Sequence, residues 1–150
     1  MRSNVKRVPL ILLIAAFAIL AFAQGDGVPA FHASAPVKGA KLPPLLAQDQ
    51  MWGSNFQYGY QKKAYLVAGK IDKVLYQLPC YCYCDRIGHG SLRSCYESTH
   101  AANCSHCMKE AYFAYFQTKQ GKTPKQIRAA IIRGDWKSLD LQQAADQVKE

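Results

Sequence analysis

"PCYCYCDRIGHGSLRSC" (79–95) is followed closely by "HAANCSHC" (100–107), and between Cys80 and Cys107 the 150-residue chain places all six of its cysteines and three of its four histidines. Such a density of sulfur and imidazole needs a physical reason. Disulfide staples, a metal cage and a reactive thiol centre are the three candidates, and the flanking sequence decides what kind of fold carries them.

Downstream, "SHCMKEAYFAYFQTKQG" (105–121) carries Met108, Ala111, Tyr112, Tyr115 and Phe116 at helical spacing, with Gly121 as a stop. In "TPKQIRAAIIRG" (123–134), Thr123 is an N-cap, Pro124 suits the first helical position and Gln126 completes a capping box. Ile127, Ala130 and Ile131 form its apolar stripe and Gly134 closes it. "SLDLQQAADQVK" (138–149) is a weaker amphipathic helix. Upstream, Ile71, Val74, Leu75 and Leu78 stand at i, i+3, i+4 and i+7 in "AGKIDKVLYQLP" (68–79), predicting one helix that Pro79 ends. "MWGSNFQYGYQKKAYLVA" (51–68) is ambivalent: its second half reads as a helix, yet Phe56, Tyr58 and Tyr60 alternate as in a strand. There is no repeat, no alternation of strand and helix, and no glycine-rich phosphate loop. The expected fold is mainly α, a small helical domain over 51–150 whose cysteine-rich loop joins helices and is stapled by metal, disulfide or both.

The rest of the chain sets the context. Arg2, Lys6 and Arg7 precede the apolar run "LILLIAAFAILAFA" (10–23), which ends in Ala21-Phe22-Ala23. This predicts a signal peptide over 1–23, its apolar run of 14 residues short of the roughly 20 a spanning helix needs. The reading implies an exported protein, periplasmic or extracellular, that meets the membrane only through that signal. No cysteine precedes Cys80, so no lipobox is present. Cleavage after Ala23 lowers the formal charge from +9 to +6. Six of the remaining basic residues lie between Lys119 and Lys137, a solvated face or a surface for an acidic membrane or protein. Nucleic acid is not expected as a partner of an exported chain. Residues 24–50, with four prolines and no period, read as a flexible linker in which His32 is solvated. A folded part of about 100 residues benefits from a staple or a metal.

Export permits disulfides, and six cysteines allow 15 pairings. Cys80, Cys82 and Cys84 are separated by single residues, so each needs a distant partner among Cys95, Cys104 and Cys107. Three parallel bridges would crowd the link, since each holds its Cα atoms about 4.4–6.8 Å apart; one or two are compatible. A metal reading fits the donors, because thiolate with imidazole suits zinc or copper(I). Were a helix to begin before His100, then His100, Cys104 and Cys107 would share one stripe. The Cys80–Cys84 loop could fold across it and complete a four-coordinate site, with His89 swinging in between Gly88 and Gly90. Six thiols exceed one tetrahedral ion, so two groups, a multinuclear cluster, or one ion plus a disulfide remain open. The third reading is redox: Cys104-Ser-His-Cys107 at a helix N-terminus, where the dipole and His106 would lower a thiol pKa.

"PCYCYC", "GHGS", Cys95, "HAANCSHC" and "GKTPKQIRAAI" together resemble the CYCXC, or PCYCGC-motif, family of exported bacterial proteins, over about Ile71 to Ile132. The resemblance implies that Cys80, Cys82, Cys84, His89, Ser91, Cys95, His100, Cys104 and Cys107 are signature positions. It also implies an extracytoplasmic bacterial setting. Some such relatives are lipoproteins and some are classed as selenoproteins, which adds weight to redox chemistry. Tyr83 stands where many relatives have glycine. No activity comes with the resemblance. The function expected is therefore binding or delivery of copper or zinc through Cys80, Cys82, Cys84, His89, Cys95, His100, Cys104 and Cys107, with a protein partner for transfer, rather than hydrolysis. A thiol–disulfide protein using Cys104 and Cys107, or a purely structural disulfide domain, is the alternative.

Overall fold

The computed structural model describes residues 27–149, so the expected signal peptide lies outside the described residues. Five helices follow in order: α1 (Gly59–Lys70), α2 (Asp72–Leu75), α3 (Ser105–Lys119), α4 (Pro124–Arg133) and α5 (Leu141–Gln147). Among the described residues there is no strand, and no helix is long and apolar enough to cross a membrane. The fold is helical, with the cysteine-rich segment between α2 and α3, as the sequence predicts.

α3 is the central element, packed against α1, α4 and α5. Ala64 and Ala68 on α1, and Ala111 and Ala114 on α3, are fully buried. Side chains this small let helix backbones approach closely. Around them Leu75, Leu78, Leu92, Ile127 and Ile131 are inaccessible to solvent, each contributing about 1.5–3 kcal/mol by burial. Tyrosine hydroxyls bolt the loop to the helices: Tyr65 donates to the Ser98 carbonyl at 2.7 Å and accepts from the Ala102 N–H at 3.1 Å. Tyr96, wholly buried, donates to the Cys107 carbonyl at 2.8 Å.

α4 forms as read. Thr123 and Gln126 make a reciprocal cap, Pro124 opens the helix, and Gly134 ends it at φ 84°. α3 ends similarly, the Lys122 N–H donating to the Gln117 carbonyl beyond Gly121 at φ 79°.

Some expectations need correction, and one open reading is decided. The single helix over 68–79 is instead the end of α1, a break at Ile71 (φ −125°) and the short α2, with a turn leading into Pro79. Helix capping decides the ambivalent 51–68 segment: the Gln61 side chain accepts from the Tyr58 N–H at 2.8 Å, and the chain is helical from Gly59. Its amide also donates to the Ala102 carbonyl at 2.9 Å, tying α1 to the turn before α3. His32, read as solvated, stacks on Tyr76 with ring centroids 3.8 Å apart, and its N–H donates to the Tyr76 carbonyl. The segment around it, read as a tether, lies along the domain. Phe31 packs beneath the Arg128 guanidinium at 4.4 Å, and the Leu46 N–H donates to the Tyr96 carbonyl at 2.9 Å. Buried Arg93 ties these pieces together, pairing with Asp72 and Glu97 and donating to the Pro43 carbonyl.

Candidate metal centre

Four short segments supply the donors. Pro79 leads the chain out of the α2 turn, and the Tyr83 N–H donates back to the Cys80 carbonyl at 3.0 Å, closing a turn that carries Cys80, Cys82 and Cys84. Tyr83 lies at φ 57°, ψ 40°, the only non-glycine residue with positive φ among those described. A glycine takes that conformation without steric cost, which gives the Gly of the PCYCGC pattern a physical reason. A 3₁₀ turn over Leu92–Tyr96 then presents Cys95, and another over Thr99–Asn103 presents His100. Finally α3 begins, with Cys104 as its N-cap and Cys107 inside its first turns.

His100, Cys104 and Cys107 therefore do not share one helix. Cys104 has extended backbone (φ −124°, ψ 107°), and Ser98 caps the preceding turn by accepting from the His100 N–H. The 3₁₀ turn brings His100 to the cluster by another route.

The donors converge. Cys82 Sγ lies 2.8 Å from Cys84 Sγ and 3.2 Å from Cys80 Sγ. Cys107 Sγ lies 3.4 Å from Cys80 and 3.5 Å from Cys82. His100 Nε2 is 3.1 Å from Cys84 Sγ, and His89 Nδ1 is 3.3 Å from Cys95 Sγ. The two imidazoles meet edge to face at 5.0 Å. Two four-donor groups result, Cys80/Cys82/Cys84/Cys107 and Cys84/Cys95/His100/Cys107, each with its ligand atoms all within 4.8 Å of one another. Cys104 falls outside both, its thiol neighbouring those of Cys82 and Cys107. His89 touches the second group through Cys95. Ser91, buried, opens the turn that carries Cys95. His106 is not part of the centre; it lies edge-on to Trp136. All six cysteines are free thiols.

The thiols differ in character. Hydrogen bonds from Cys104 and then Cys107 hold the Cys82 thiol well below its ordinary range. Cys104, Cys80 and Cys82 as donating targets push Cys107 up. For Cys104 the Cys107 thiol pulls down, but donation to Cys82 and burial prevail and the net direction is up. The lowered thiols thus lie not at the expected Cys104/Cys107 pair but at Cys82 and Cys80, whose sulfurs accept from their neighbours. Burial, reinforced by His100, lowers His89 and keeps it neutral, the form that ligates metals.

Sequence reasoning missed Glu110. It is wholly buried one turn after Cys107; Oε1 accepts the Tyr81 N–H at 2.8 Å, while Oε2 has no partner. Burial, then the neighbouring Cys80, raises its carboxyl well above the usual range. The available signal was a carboxylate inside the otherwise apolar Cys107–Ala111–Ala114 stripe. A cavity of about 330 Å³ reaches the centre from solvent, with Cys82, Cys84, His100 and Cys104 in its walls and exposed Tyr83 and Ile87 at its rim. Another cavity, about 710 Å³ between α1, α3 and α5, is lined by no cysteine or histidine.

Such a donor set suits a soft ion in chemistry and spacing. With Zn–S near about 2.3 Å, a tetrahedral S···S edge is about 3.8 Å, so the sulfurs need only spread by about 1 Å or less to receive one. Residues 55–138 match the model of a protein family described as a protein of unknown function with PCYCGC motif. Comparison with curated proteins and with solved structures returns no match.

Proposed function

The chain belongs to the PCYCGC-motif family, and from that premise and the geometry of the centre we propose that it is an exported protein that binds and delivers a soft metal ion, copper or zinc. One observation carries the reading: free thiols, all but Cys82 buried, and an imidazole from four separate segments form two four-donor groups, each within 4.8 Å. Packing alone does not require five sulfurs at such separations, and thiolates this close repel unless a cation or protons lie between them. Thiolate and neutral imidazole favour zinc or copper(I) over calcium or magnesium.

The cavity beside Cys82 and Cys104 supports delivery as well as storage. Both are half-buried, whereas Cys80, Cys84, Cys95 and Cys107 are buried. An ion arriving on a partner's sulfur or nitrogen ligands meets Cys82 and Cys104 first and passes inward by exchange of one thiolate for another. The protein partner and the extracytoplasmic location belong to this proposal.

The test is an anaerobic titration of the reduced, exported form with zinc and with copper(I), each against a competing chelator. Saturable binding that withholds the ion from the chelator is the expected result. Free exchange of both ions into the chelator, with the thiols reduced and the fold intact, removes the reading. A fast, reversible disulfide involving Cys82, Cys104 or Cys107 with no metal retained would transfer support to thiol–disulfide chemistry.

A further inference from the structure

The two four-donor groups are not separate sites: they have Cys84 and Cys107 in common. Resting on the metal-binding reading above, we infer that the centre holds two four-coordinate divalent ions bridged by the Cys84 and Cys107 thiolates. Cys80 and Cys82 complete one coordination shell, and Cys95 and His100 complete the other.

Counting donors leads to this arrangement. Two tetrahedral ions need eight positions, and six donors fill them when two thiolates each serve twice. A thiolate sulfur has the lone pairs to do so. A single ion in the first group would leave Cys95, with no solvent exposure, and His100 beside an occupied site without an ion of their own. A single ion in the second would leave Cys80 and Cys82 against it, 3.2 Å apart. The second group is also aimed: His100 Nε2 points at the bridging Cys84 Sγ at 3.1 Å. His89 contacts Cys95 Sγ from outside, as a partner that orients a metal-bound ligand does.

Charge points the same way. Five thiolates and a neutral imidazole around two divalent ions leave one net negative charge. The same thiolates around one divalent ion leave three in a largely buried site, where uncompensated charge is costly. The common sulfurs sit on different segments, Cys84 on the loop and Cys107 on α3. Bridging them therefore closes the loop onto the helix at both ions.

The experiment uses the reduced full mature chain loaded with zinc and, in parallel, with cobalt(II) as a spectroscopic reporter. Two zinc ions per chain are expected by elemental analysis. As the second cobalt equivalent enters, the paramagnetic resonance signal should fall through coupling across the bridging sulfurs. Cys95→Ser should halve the bound metal, from two ions to one, and restore an uncoupled cobalt signal. Cys82→Ser should do the same from the other side. The wild-type cobalt signal needs no variant, so a misfolded substitution does not obscure the result. One ion per chain at saturation overturns the two-ion centre while leaving the metal-binding function standing. Two ions whose cobalt signals simply add overturn the bridge. Absence of bound metal overturns both readings.

Discussion

Glu110→Gln in the metal-free protein should remove a pH dependence of stability that the wild-type carboxyl imposes. The Glu110 side chain is fully buried, one oxygen holding the Tyr81 N–H and the other facing no partner, and its carboxyl is raised well above the usual range by burial and by Cys80. In the unfolded chain it ionises near the ordinary value of about 4.3. Above that value the folded protein still holds a proton that the unfolded chain has released. Wild-type stability therefore loses about 1.4 kcal/mol per pH unit from this group, starting near the ordinary value and ending at the raised one. Below the ordinary value the loss vanishes. Glutamine is close in shape to the neutral acid and keeps the carbonyl for Tyr81, but does not titrate. Between pH 5 and pH 7 the stability of Glu110→Gln relative to wild type should rise, at up to about 1.4 kcal/mol for each pH unit below the raised value. Taking the difference between the two proteins cancels the titration of groups common to both. Urea unfolding in reductant and chelator at pH 5, 6 and 7 measures it. Parallel curves, with a constant difference across that range, would show that the carboxyl is ionised in the fold and would refute the reasoning.

Tyr83→Gly should leave stability within about 1 kcal/mol of wild type, because relief of the left-handed backbone offsets the lost Arg86 contact at 4.9 Å. Tyr83→Val, with a β-branched side chain at the same φ, should cost about 1–2 kcal/mol, read by chemical denaturation. Thr123→Ala removes the hydroxyl that accepts the Gln126 N–H at 3.3 Å and should cost about 1 kcal/mol by the same assay. Under a limiting alkylating agent, peptide mass spectrometry of the reduced metal-free protein should find Cys82 and Cys104 modified before Cys95 and Cys107, because only the first two are half-exposed on the open cavity. Zinc should slow both; equal rates at all six cysteines would remove the proposed way in.

What could be read in advance followed from local rules. The α4 helix is announced by Thr123, Pro124, Gln126 and Gly134, each of which acts within its own turn, so no tertiary knowledge is needed. The gathering of donors follows from their crowding into 28 positions between two helices. Where the reading failed, distant or single-residue contacts decide. Ile71, Val74, Leu75 and Leu78 satisfy a helical period equally well across a break, since the period does not register one non-helical residue at Ile71. The stripe through His100, Cys104 and Cys107 assumed a helix that Ser98 and Cys104 interrupt. Phe31, His32 and Leu46 anchor a segment with no period at all, by one stack, one cation–π contact and a few backbone hydrogen bonds. Glu110 went unread because nothing local marks it as buried; its burial and the Tyr81 N–H it accepts come from tertiary packing.

The most direct test is to purify the exported protein without added metal or oxidant and to measure elemental composition and free thiols on one sample, before and after reductant. Zinc or copper in at least stoichiometric amount is expected, with thiols that become titratable once the metal is removed and no gain from the reductant. Metal far below one equivalent, together with thiols that appear only after reduction, would contradict the account and make the cluster a disulfide core.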